Sequence, residues 1–365
     1  MRVLIVGAGP VGCYLARLLL AQGNSYDVKV IEEHPEIGRP VHCAGLVSTE
    51  VIRLSRIPID DSVVLNRIDG AEFFLDGDLF QIERKAVAVV VERERFDRFL
   101  AEGLDISFNT SFLGIEEADN GYIVDTDRGE FRADIVVGAD GANSSVRRSF
   151  GFKEEIEYLR GVQFRIAYRK PKKNIVDVYM RPPFFTWVIP EGEEVVRVGT
   201  ISTNPYFDLL EFLKESSIKG EVLQKFGGIV PVGKCQTIRD NVALVGDAAC
   251  QVKPLTHGGI FYGMRCAEIL CDCILKNRLF DYEKQWQMRF IREIQLGLSI
   301  RSLYQVMSKE QLRKIFIFLK KNKALLEKFG DFESHSKIIK PLLNNRFMQE
   351  VINKSLKNFI KELSF

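Results

Sequence analysis

Three glycines near the start of the chain have the spacing of a phosphate-binding turn. They are Gly7, Gly9 and Gly12, in the run Gly-Ala-Gly-Pro-Val-Gly. In such a turn the first glycine permits a tight bend, the second lets the backbone approach a pyrophosphate, and the third lets a helix pack closely on a strand. Amides at the helix N-terminus then donate hydrogen bonds to the phosphates. A glycine-rich turn that binds nothing is the alternative.

The elements around this turn favour a dinucleotide. Residues 2–6, Arg-Val-Leu-Ile-Val, are typical of a short buried strand, and residues 11–22 carry apolar side chains at helical intervals. Residues 28–31 predict a second strand, and Glu32 follows it, where a carboxylate accepts hydrogen bonds from ribose hydroxyls. An acid there, rather than an arginine, disfavours a 2'-phosphate. The turn therefore predicts FAD or NAD and not NADP.

Two acidic turns later in the chain also follow apolar strands. They are Gly-Ala-Asp-Gly-Ala-Asn-Ser-Ser-Val-Arg at 138–147 and Asp-Asn-Val-Ala-Leu-Val-Gly-Asp-Ala-Ala at 240–249, the second followed by Pro254 and Gly258-Gly259. Asp247 ends a fully apolar strand, and α/β proteins bind ligands at the carboxyl ends of their strands. Asp140 has an alternative as a turn residue before Gly141.

The three segments together resemble the FAD signatures of the flavoprotein hydroxylase and geranylgeranyl reductase superfamily. The resemblance implies FAD as the cofactor, Asp247 as the acid at its ribityl chain, and a following helix whose dipole stabilises a reduced anionic flavin. Arg93 resembles the superfamily's arginine near the pyrophosphate, although a charge-rich helix start explains it equally well. The implied cofactor contacts are Gly7, Gly9, Pro10, Gly12, Glu32, Glu33, Arg39, Cys43, Ala44, Arg93, Asp140, Gly141, Gly246, Asp247, Gly258, Gly259 and Ile260.

Two segments favour the geranylgeranyl reductase branch. Residues 39–45, Arg-Pro-Val-His-Cys-Ala-Gly, resemble that family's cysteine-containing motif beside the isoalloxazine. Residues 184–190, Phe-Phe-Thr-Trp-Val-Ile-Pro, resemble its substrate-cavity signature, with Phe185 where Tyr is commoner and Ile where Phe is. The resemblance implies substrate contacts from Phe185, Trp187 and Pro190. His257 departs from the family, which usually has Gly at that place.

Cys43 is the predicted catalytic residue. A thiol between Gly38 and Gly45, on a loop after the ribose-binding strand, could gate the substrate or donate a proton; a small buried apolar residue is the alternative. His42 could tune the thiol, but an exposed loop histidine is the simpler interpretation. The seven cysteines lack paired zinc-ligand spacing, so reduced thiols and no metal site are expected.

The remaining pattern predicts an α/β fold with a discontinuous cofactor domain. Short strands separated by Gly, Asp and Asn turns return after residue 60, and from Gly258 onward the chain becomes helical, with apolar residues at intervals of four from Trp286. The predicted units are a Rossmann-like FAD-binding domain (1–60, 85–155 and 236–275), an inserted antiparallel-sheet substrate domain (61–84 and 156–235) and a helical C-terminal segment (276–365).

Composition is that of a globular protein with a large core. Of 365 residues, 46% are apolar and 27% charged, and the formal charge is +2. Residues 276–365 nevertheless carry about ten more basic than acidic residues. This excess includes Lys320, Lys321, Lys323, Lys328, Lys337 and Lys340. A solvated helix face explains it, and attraction to anionic lipid or to an acidic electron carrier is the alternative; nucleic acid is not expected. Without an 18-residue apolar run or a signal-peptide pattern, a cytoplasmic protein is expected, with at most peripheral contact at the inner face of the cell membrane.

The resemblance also implies an activity. It implies an oxidoreductase of lipid biosynthesis that saturates isolated C=C bonds in geranylgeranyl chains of archaeal ether phospholipids, with a hydride from flavin N5 and a proton from water or Cys43. Two rivals stay open: an FAD-dependent aromatic-ring monooxygenase with the same flavin signatures, and a prenyl-binding carrier without catalysis. The electron donor stays open between a ferredoxin, a nicotinamide and a quinol pool. Because there is only one dinucleotide fingerprint, a second nucleotide would bind transiently.

Overall fold

The computed structural model describes residues 1–23, 26–55, 63–181 and 184–343. Its strands, numbered in chain order, are β1 (Arg2–Val6), β2 (Asp27–Ile31), β3 (Leu46–Ser48), β4 (Val64–Leu75), β5 (Asp78–Val91), β6 (Ile106–Ser107), β7 (Phe112–Ala118), β8 (Gly121–Thr126), β9 (Gly129–Ala133), β10 (Ile135–Gly138), β11 (Glu154–Ala167), β12 (Ile175–Arg181), β13 (Phe184–Pro190), β14 (Val195–Ser202), β15 (Val222–Cys235), β16 (Ile238–Arg239) and β17 (Val242–Leu244). Its α-helices are α1 (Pro10–Leu20), α2 (Thr49–Leu54), α3 (Arg93–Ala101), α4 (Ser145–Ser149), α5 (Pro205–Glu215), α6 (Ile260–Leu275), α7 (Tyr282–Val306), α8 (Lys309–Lys321), α9 (Lys323–Phe329) and α10 (Ser336–Leu343).

A six-stranded sheet holds the predicted dinucleotide turn. Its order is β16-β17-β10-β1-β2-β6, and every pair is parallel except β16 with β17. Apart from Arg2, the central strands β1, β10 and β17 consist of buried apolar residues and one glycine, because both faces of the sheet are covered, as parallel sheets require. The predicted β1–α1–β2 opening is confirmed.

The carboxyl ends of these strands gather three turns at one edge. The amide of Gly7 bonds to the carbonyl of Ile31, and the amide of Ala139 bonds to that of Val6. The amide of Val245 bonds to the carbonyl of Gly138 in the same way. Because β1 lies between β2 and β10, the chain leaves the sheet in both directions here, and such switch points are where open α/β sheets bind ligands.

An eight-stranded sheet stands beside the first one. Its order is β15-β11-β14-β13-β12-β4-β5-β3, and β12 with β4 is its one parallel pair among the described residues. An antiparallel sheet was expected here; helix α5, which packs against the sheet core at Phe164 and Val188, was not. All of β5 runs in this sheet, although the predicted division assigns residues 85–91 to the cofactor unit. That division stays a prediction.

The C-terminal segment is helical, as the spacing predicts. On α7, Trp286, Phe290 and Ile294 are buried against the core of the six-stranded sheet. On α8, Phe316 packs on Phe80 of the eight-stranded sheet, with ring centroids 5.0 Å apart. The segment therefore covers both sheets. Residues 344–365 of the predicted helical segment lie outside the described residues.

Three of the six C-terminal lysines are paired with acids. Lys320 lies 3.4 Å from Asp78, Lys323 lies 3.3 Å from Glu327, and Lys337 lies 2.6 Å from Asp331. The side chain of Lys340 lies outside the described part. These ion pairs favour the interpretation that the basic residues form a solvated helix face. Among the described helices, none is both long and apolar enough to cross a membrane.

Candidate functional site

One cavity of about 1560 Å³ connects the six-stranded sheet edge to the eight-stranded sheet. Nearly all the predicted site residues line it: Gly7, Gly9, Pro10, Glu32, Glu33, Arg39, Cys43, Ala44, Arg93, Asp140, Gly141, Phe185, Trp187, Gly246, Asp247, Gly258, Gly259 and Ile260. Two do not. Gly12 is buried under the turn, and Pro190 ends β13 in the core, where its carbonyl accepts a hydrogen bond from Asn66. Pro190 is therefore not brought to the cavity wall.

The dinucleotide turn leaves room for a ligand at one glycine only. A Cβ at Gly7 would lie 2.5 Å from the carbonyl oxygen of Ala139, and a Cβ at Gly12 would lie 2.2 Å from that of Gly7. A Cβ at Gly9 would meet nothing within 4 Å. Helix α1 begins at Pro10 without a side-chain cap, so its first amides are available to an anion.

Glu32 is held at the end of β2 by its own neighbours. Its Oε2 accepts a hydrogen bond from the amide of Ala8 at 2.8 Å, and its Oε1 accepts one from the amide of His34 at 3.0 Å. The His34 ring nitrogen Nδ1 lies 2.6 Å from the same oxygen. The carboxylate thus faces the cavity beside the dinucleotide turn, with its orientation set before any ligand binds.

Asp247 lines the cavity without a hydrogen-bond donor of its own. It lies in a 3-10 turn, Gly246–Ala249, and no group among the described residues donates a hydrogen bond to its carboxylate. Burial raises its pKa to about 6, and the positive charge of Arg93 opposes that shift. A carboxylate held in a cavity without a donor needs one, and ligand hydroxyls would supply it.

The helix after this turn also points its free end at the cavity. Helix α6 begins at Ile260 after Gly258 and Gly259, and no side chain caps it. A Cβ at Gly259 would lie 2.5 Å from the Asp247 carboxylate, so glycine is required there. The helix amides are therefore open to an electronegative group of a ligand.

The Asp140 carboxylate is hydrogen-bonded within its own loop. Its carboxylate accepts hydrogen bonds from the hydroxyl of Ser144 at 2.6 Å and from the amide of Val146 at 3.0 Å. These bonds set the start of α4, which supports the turn interpretation. A direct contact between Asp140 and a cofactor stays a prediction.

Arg147 joins the two acidic turns, a role that the sequence did not reveal. Its side chain is fully buried and donates to the carbonyl of Ala142 at 2.8 Å and to that of Ala248 at 2.7 Å. It also bonds to the hydroxyl of Tyr158 and contacts Glu154. The two cofactor-facing loops are thus held at a set separation by one guanidinium.

Cys43 and Arg93 contact each other at the cavity wall. The Cys43 sulfur accepts a hydrogen bond from the amide of Gly45 at 3.3 Å, and the guanidinium of Arg93 faces the same thiol. Arg93 also makes a two-point ion pair with Asp97, at 2.8 and 3.1 Å, on the first turn of α3. His42 instead contacts the carbonyl of Gly227. The thiol is therefore next to a fixed positive charge.

A buried arginine from the eight-stranded sheet holds the Cys43 loop, residues 38–45. Arg197 donates to the carbonyl of Ala44 at 2.7 Å and to that of Val91 at 3.2 Å. Its Nε bonds to Glu191, which is also paired with Arg165. Arg39, in the same loop, is mostly exposed and bonds to Glu94 at 2.8 Å. Sequence reasoning missed Arg197, since nothing local marks it.

The predicted aromatic wall consists of Phe185 and Trp187. The indole lies flat over Gly199, where a Cβ would be 2.4 Å from the ring, and its nitrogen donates to Oε1 of Gln163 at 2.9 Å. The rings of Phe185 and Trp187 have centroids 5.8 Å apart. Phe164 and Tyr179, which also lie on strands of this sheet, pack in its core instead.

The C-terminal segment closes the cavity beside α6. Lys253 makes a buried ion pair of 2.8 Å with Glu333 and donates to the carbonyl of Phe332 at 2.9 Å. His257 and His335 also line the cavity, and burial lowers their pKa values to about 3 and about 4. No pattern in the sequence connects residues so far apart.

These features fit a flavin dinucleotide. The turn at Gly9 is open to a pyrophosphate, Glu32 is placed for a ribose and Asp247 for the ribityl chain, while the uncapped α6 can meet the flavin ring. FAD when bound supplies redox chemistry. No group of His, Cys, Asp or Glu side chains in the described residues is arranged to hold a metal ion.

Sequence comparison with known proteins also supports an FAD-binding site. A family model described as an FAD binding domain matches residues 1–205. An uncharacterized protein of Methanocaldococcus jannaschii is 33% identical, covering 92% of this chain and 93% of its own. A digeranylgeranylglycerophospholipid reductase of Methanothrix thermoacetophila is 30% identical, covering 86% of this chain and 90% of its own.

A solved structure is similar over almost the whole fold. It is a geranylgeranyl bacteriochlorophyll reductase-like protein from Thermoplasma acidophilum, with a TM-score of 0.83 and 26% identity, covering 97% of this chain and 98% of that one. The expected α/β fold with its antiparallel sheet and helical C-terminal segment is thereby confirmed, as is FAD as the cofactor. The chain belongs to the FAD binding domain family and, within it, to the geranylgeranyl reductases, and it is an FAD-dependent oxidoreductase.

Proposed function

We propose that this enzyme saturates isolated C=C bonds in geranylgeranyl chains of isoprenoid ether phospholipids. The observation that carries the proposal is the continuity of the cavity, which runs from the dinucleotide turn past Cys43 to the aromatic wall. Its volume of about 1560 Å³ exceeds the roughly 300–1,000 Å³ of a pocket for one small ligand. It has room for a dinucleotide and a long second ligand together.

The second part of the cavity suits a hydrocarbon chain. Apart from Phe185 and Trp187, the eight-stranded sheet contributes apolar lining residues that include Ile68, Val162, Val176, Val178 and Ile189. An apolar chain is bound by the burial of its surface and not by directed bonds, so such a wall binds prenyl units without selecting a functional group. The digeranylgeranylglycerophospholipid reductases among the relatives support a prenylated phospholipid as the substrate.

In this proposal the protein contributes position and protonation. Reduced FAD, when bound, would supply the hydride. An isolated alkene has no carbonyl group that could be polarised, so holding the double bond at the reacting position contributes much of the rate. Phe185 and Trp187 hold the chain, and the apolar lining excludes bulk water. The second hydrogen arrives as a proton from Cys43 or from water.

Cys43 is proposed as the catalytic residue at the junction of the two parts. Its thiol faces Arg93 on one side and belongs to a loop held by Arg197 on the other. A thiol so placed can give a proton or limit how far the chain enters. Replacing Cys43 with Ala or Ser should lower turnover or change the number of bonds reduced, with FAD retained. Unchanged turnover and products in both variants would remove Cys43 from the mechanism.

Mass spectrometry of prenyl lipids tests the function. Lipids are incubated with dithionite-reduced protein, and a gain of two mass units per bond is expected. A gain of sixteen in air, with oxygen consumption coupled to a nicotinamide, would instead indicate the monooxygenase. A purified protein that is colourless and binds prenyl lipid unchanged would indicate the carrier. A ferredoxin or a nicotinamide is proposed as the physiological electron donor.

A peripheral contact with the lipid surface is proposed at one end of the cavity. Four exposed apolar side chains, named here the rim patch, are Tyr206, Phe207, Val222 and Leu223. They adjoin Pro205 and Phe226, which line the cavity. Exposed apolar clusters of this kind mark binding surfaces. The patch therefore provides an entrance at which a lipid chain could leave a bilayer.

Sedimentation with vesicles tests the rim patch. Phe207→Asp with Leu223→Asp should reduce the fraction that sediments with phospholipid vesicles, while turnover on detergent-dispersed lipid stays near the wild-type value. Phe280→Asp is the matched control, because Phe280 is 72% exposed but does not adjoin the cavity. Equal sedimentation of all three proteins would exclude the patch.

A further inference from the structure

The loop between α9 and α10 supplies part of the cavity wall from the C-terminal segment. Its residues Gly330, Asp331, Phe332, Glu333 and His335 all line the cavity. Phe332 is the one large apolar side chain among these five. Its ring is therefore the group of this loop that an apolar ligand would contact.

Phe332 packs on the apolar wall of the eight-stranded sheet. It lies against the buried cluster that includes Ile189, as do Trp187 and Ala44 of the Cys43 loop. The side chain is only partly buried and lines the cavity, so the rest of its surface faces the space that is open to a ligand. A ring at this place takes up room that a hydrocarbon chain would otherwise occupy.

A lysine from the cofactor side of the cavity holds this ring. Lys253 comes shortly after the 3-10 turn of Asp247, and its Nζ lies 4.4 Å from the centroid of the Phe332 ring. An ammonium group is attracted to the face of an aromatic ring at such a distance. The same Nζ donates to the carbonyl of Phe332 at 2.9 Å and pairs with Glu333 at 2.8 Å. One ammonium thus acts on two adjacent residues of the loop.

The backbone around Phe332 is fixed by further hydrogen bonds. Oδ1 of Asp331 accepts from the amides of Glu333 and Ser334, both at 2.9 Å. The hydroxyl of Tyr262, on α6, donates to the carbonyl of Glu333 at 3.0 Å. Phe332 therefore lies between two residues whose positions are set by polar contacts.

The ion pair favours a role in geometry over a role in stability. Lys253 and Glu333 are 3% and 6% exposed. The cost of taking two charges out of water offsets much of their attraction, so an apolar contact would stabilise the loop about as well. Directed hydrogen bonds do what an apolar contact does not, because they hold the Phe332 ring at one place in the cavity.

We infer that Phe332 is a specificity-determining residue that limits the length of the prenyl chain in the cavity, and that Lys253 and Glu333 are its positioning residues. The inference rests on the prenyl substrate of the proposed function. Each double bond of a chain must come to the same reacting position, so the rest of the chain needs room in the apolar part. Phe332 reduces that room, and a longer chain has to displace a ring that the lysine holds.

Chain preference tests the inference at Phe332. The substrates are prenyl lipids whose chains are one isoprene unit shorter than geranylgeranyl, equal to it, and one unit longer. Phe332→Ala should raise kcat/KM for the longest chain about 10-fold relative to the shortest, mainly through KM, and Phe332→Leu should give a smaller rise. A loss of packing alone would lower kcat/KM for all three chains by the same factor and leave the ratio unchanged.

Tryptophan fluorescence measures the same preference without turnover. Trp187 packs on the same cluster as Phe332, whereas Trp286, the other tryptophan of the chain, is buried in the core of the six-stranded sheet. Titration with the three lipids should therefore report occupation of the apolar part. Phe332→Ala should tighten binding of the longest chain about 10-fold relative to the shortest. Wild-type protein that binds these lipids with the expected preference but reduces none would overturn the proposed reaction and support the chain selection.

Lys253→Met combined with Glu333→Gln tests the positioning residues. Both charges are removed together, because a single change would leave a buried charge without its partner and destabilise the protein for that reason alone. The ring of Phe332 stays but is no longer held, so the preference should move toward the longest chain, as in Phe332→Ala. Adding Phe332→Ala to the double variant should increase the shift by less than it does in the wild type.

Phe329→Ala is the matched control. Phe329 ends α9, is 39% exposed and does not line the cavity, so its variant should keep the wild-type chain preference. An unchanged preference in Phe332→Ala, or an equal shift in Phe329→Ala, would overturn the inference for the ring. A wild-type preference in the Lys253 and Glu333 double variant would overturn it for the positioning residues.

Discussion

The two sheets build their shares of the cavity in different ways. At the six-stranded sheet, the lining is made mostly by contacts within short stretches of chain, as between Gly7 and Gly12 or between Asp140 and Val146, and Arg147 adds a long-range link. At the eight-stranded sheet, side chains far apart in sequence do the same work. Arg197 holds the carbonyl of Ala44 across 153 residues.

The difference teaches where each half is vulnerable. At Gly7 and Gly12 the turn has no space for a side chain, so an added methyl group there must displace backbone. A wall held by side-chain hydrogen bonds fails when a partner is removed, because the other groups remain buried and unsatisfied. Overpacking should therefore damage the first half most, and truncation the second.

The largest effect is expected at Gly12. Its replacement by Ala puts a Cβ 2.2 Å from the carbonyl oxygen of Gly7, so the helix must move away from the strand. A loss of about 3 kcal/mol in the free energy of unfolding is expected, together with loss of bound flavin. Urea denaturation and the visible absorption spectrum measure the two.

Gly9→Ala is the matched control within the same turn. A Cβ at Gly9 meets no protein atom within 4 Å, so the FAD-free protein should keep its stability within about 0.5 kcal/mol while flavin affinity falls. Equal destabilisation by both variants would show that the two glycines do not divide the work as described.

The second largest effect is expected at Arg197, in the other half. Arg197→Met leaves the carbonyls of Ala44 and Val91 without their donor and Glu191 with Arg165 alone. The free energy of unfolding should fall by about 2–3 kcal/mol. This is less than the cost of leaving a buried charge without any partner, because Glu191 keeps Arg165. Arg165→Met, which removes the more exposed partner, should cost less. Urea denaturation of both variants ranks them, and an equal cost would contradict the assigned role.

The same contrast explains what the sequence could predict. The strand–turn–helix at Gly7 and the acid at Glu32 were predictable because the spacing requirement is local. Asp247 was predictable because it ends an apolar strand. The parallel sheet and the apolar stripe of α7 followed from periodicity in the same way.

The missed residues are those whose partners are distant. Gln163, Arg197 and Arg147 look like ordinary polar residues of strands and loops, and their bonds depend on sheet order. Periodicity indicates which face of a strand is buried but not which strand lies beside it. Pro190 shows the converse, because a residue inside a family-like motif need not reach the cavity.

The third prediction concerns Asp247, whose replacement should raise the free energy of unfolding by an amount that depends on pH. Burial raises the pKa of Asp247 from 3.8 to about 6, so the folded state disfavours the ionised carboxyl. Its contribution to stability is highest below pH 4, is lost as the pH rises to about 6, and stays lost above that. Asp247→Asn should therefore stabilise the FAD-free protein by about 2 kcal/mol at pH 8 and by almost nothing at pH 4.

Denaturation at the two pH values measures this effect, and flavin titration shows its function. The variant should bind FAD more weakly although its FAD-free form is more stable. This combination is expected of a carboxylate that costs stability and contributes to ligand binding. A variant less stable than the wild type at pH 8 would mean that Asp247 has a structural partner.

The smallest effect is expected on the basic face of the C-terminal segment. Lys320 lies 3.4 Å from Asp78, and both side chains are substantially exposed, so Lys320→Ala should change stability by less than about 0.5 kcal/mol. On the same helix, Phe316→Ala should cost about 3 kcal/mol, because Phe316 is buried against Leu75 and Phe80. Urea denaturation compares the two. Since salt weakens the attraction between exposed charges, the small loss at Lys320 should vanish at 1 M NaCl while that at Phe316 persists. A large cost at Lys320 that persists in salt would mean that this face is part of the packed structure and not a solvated surface.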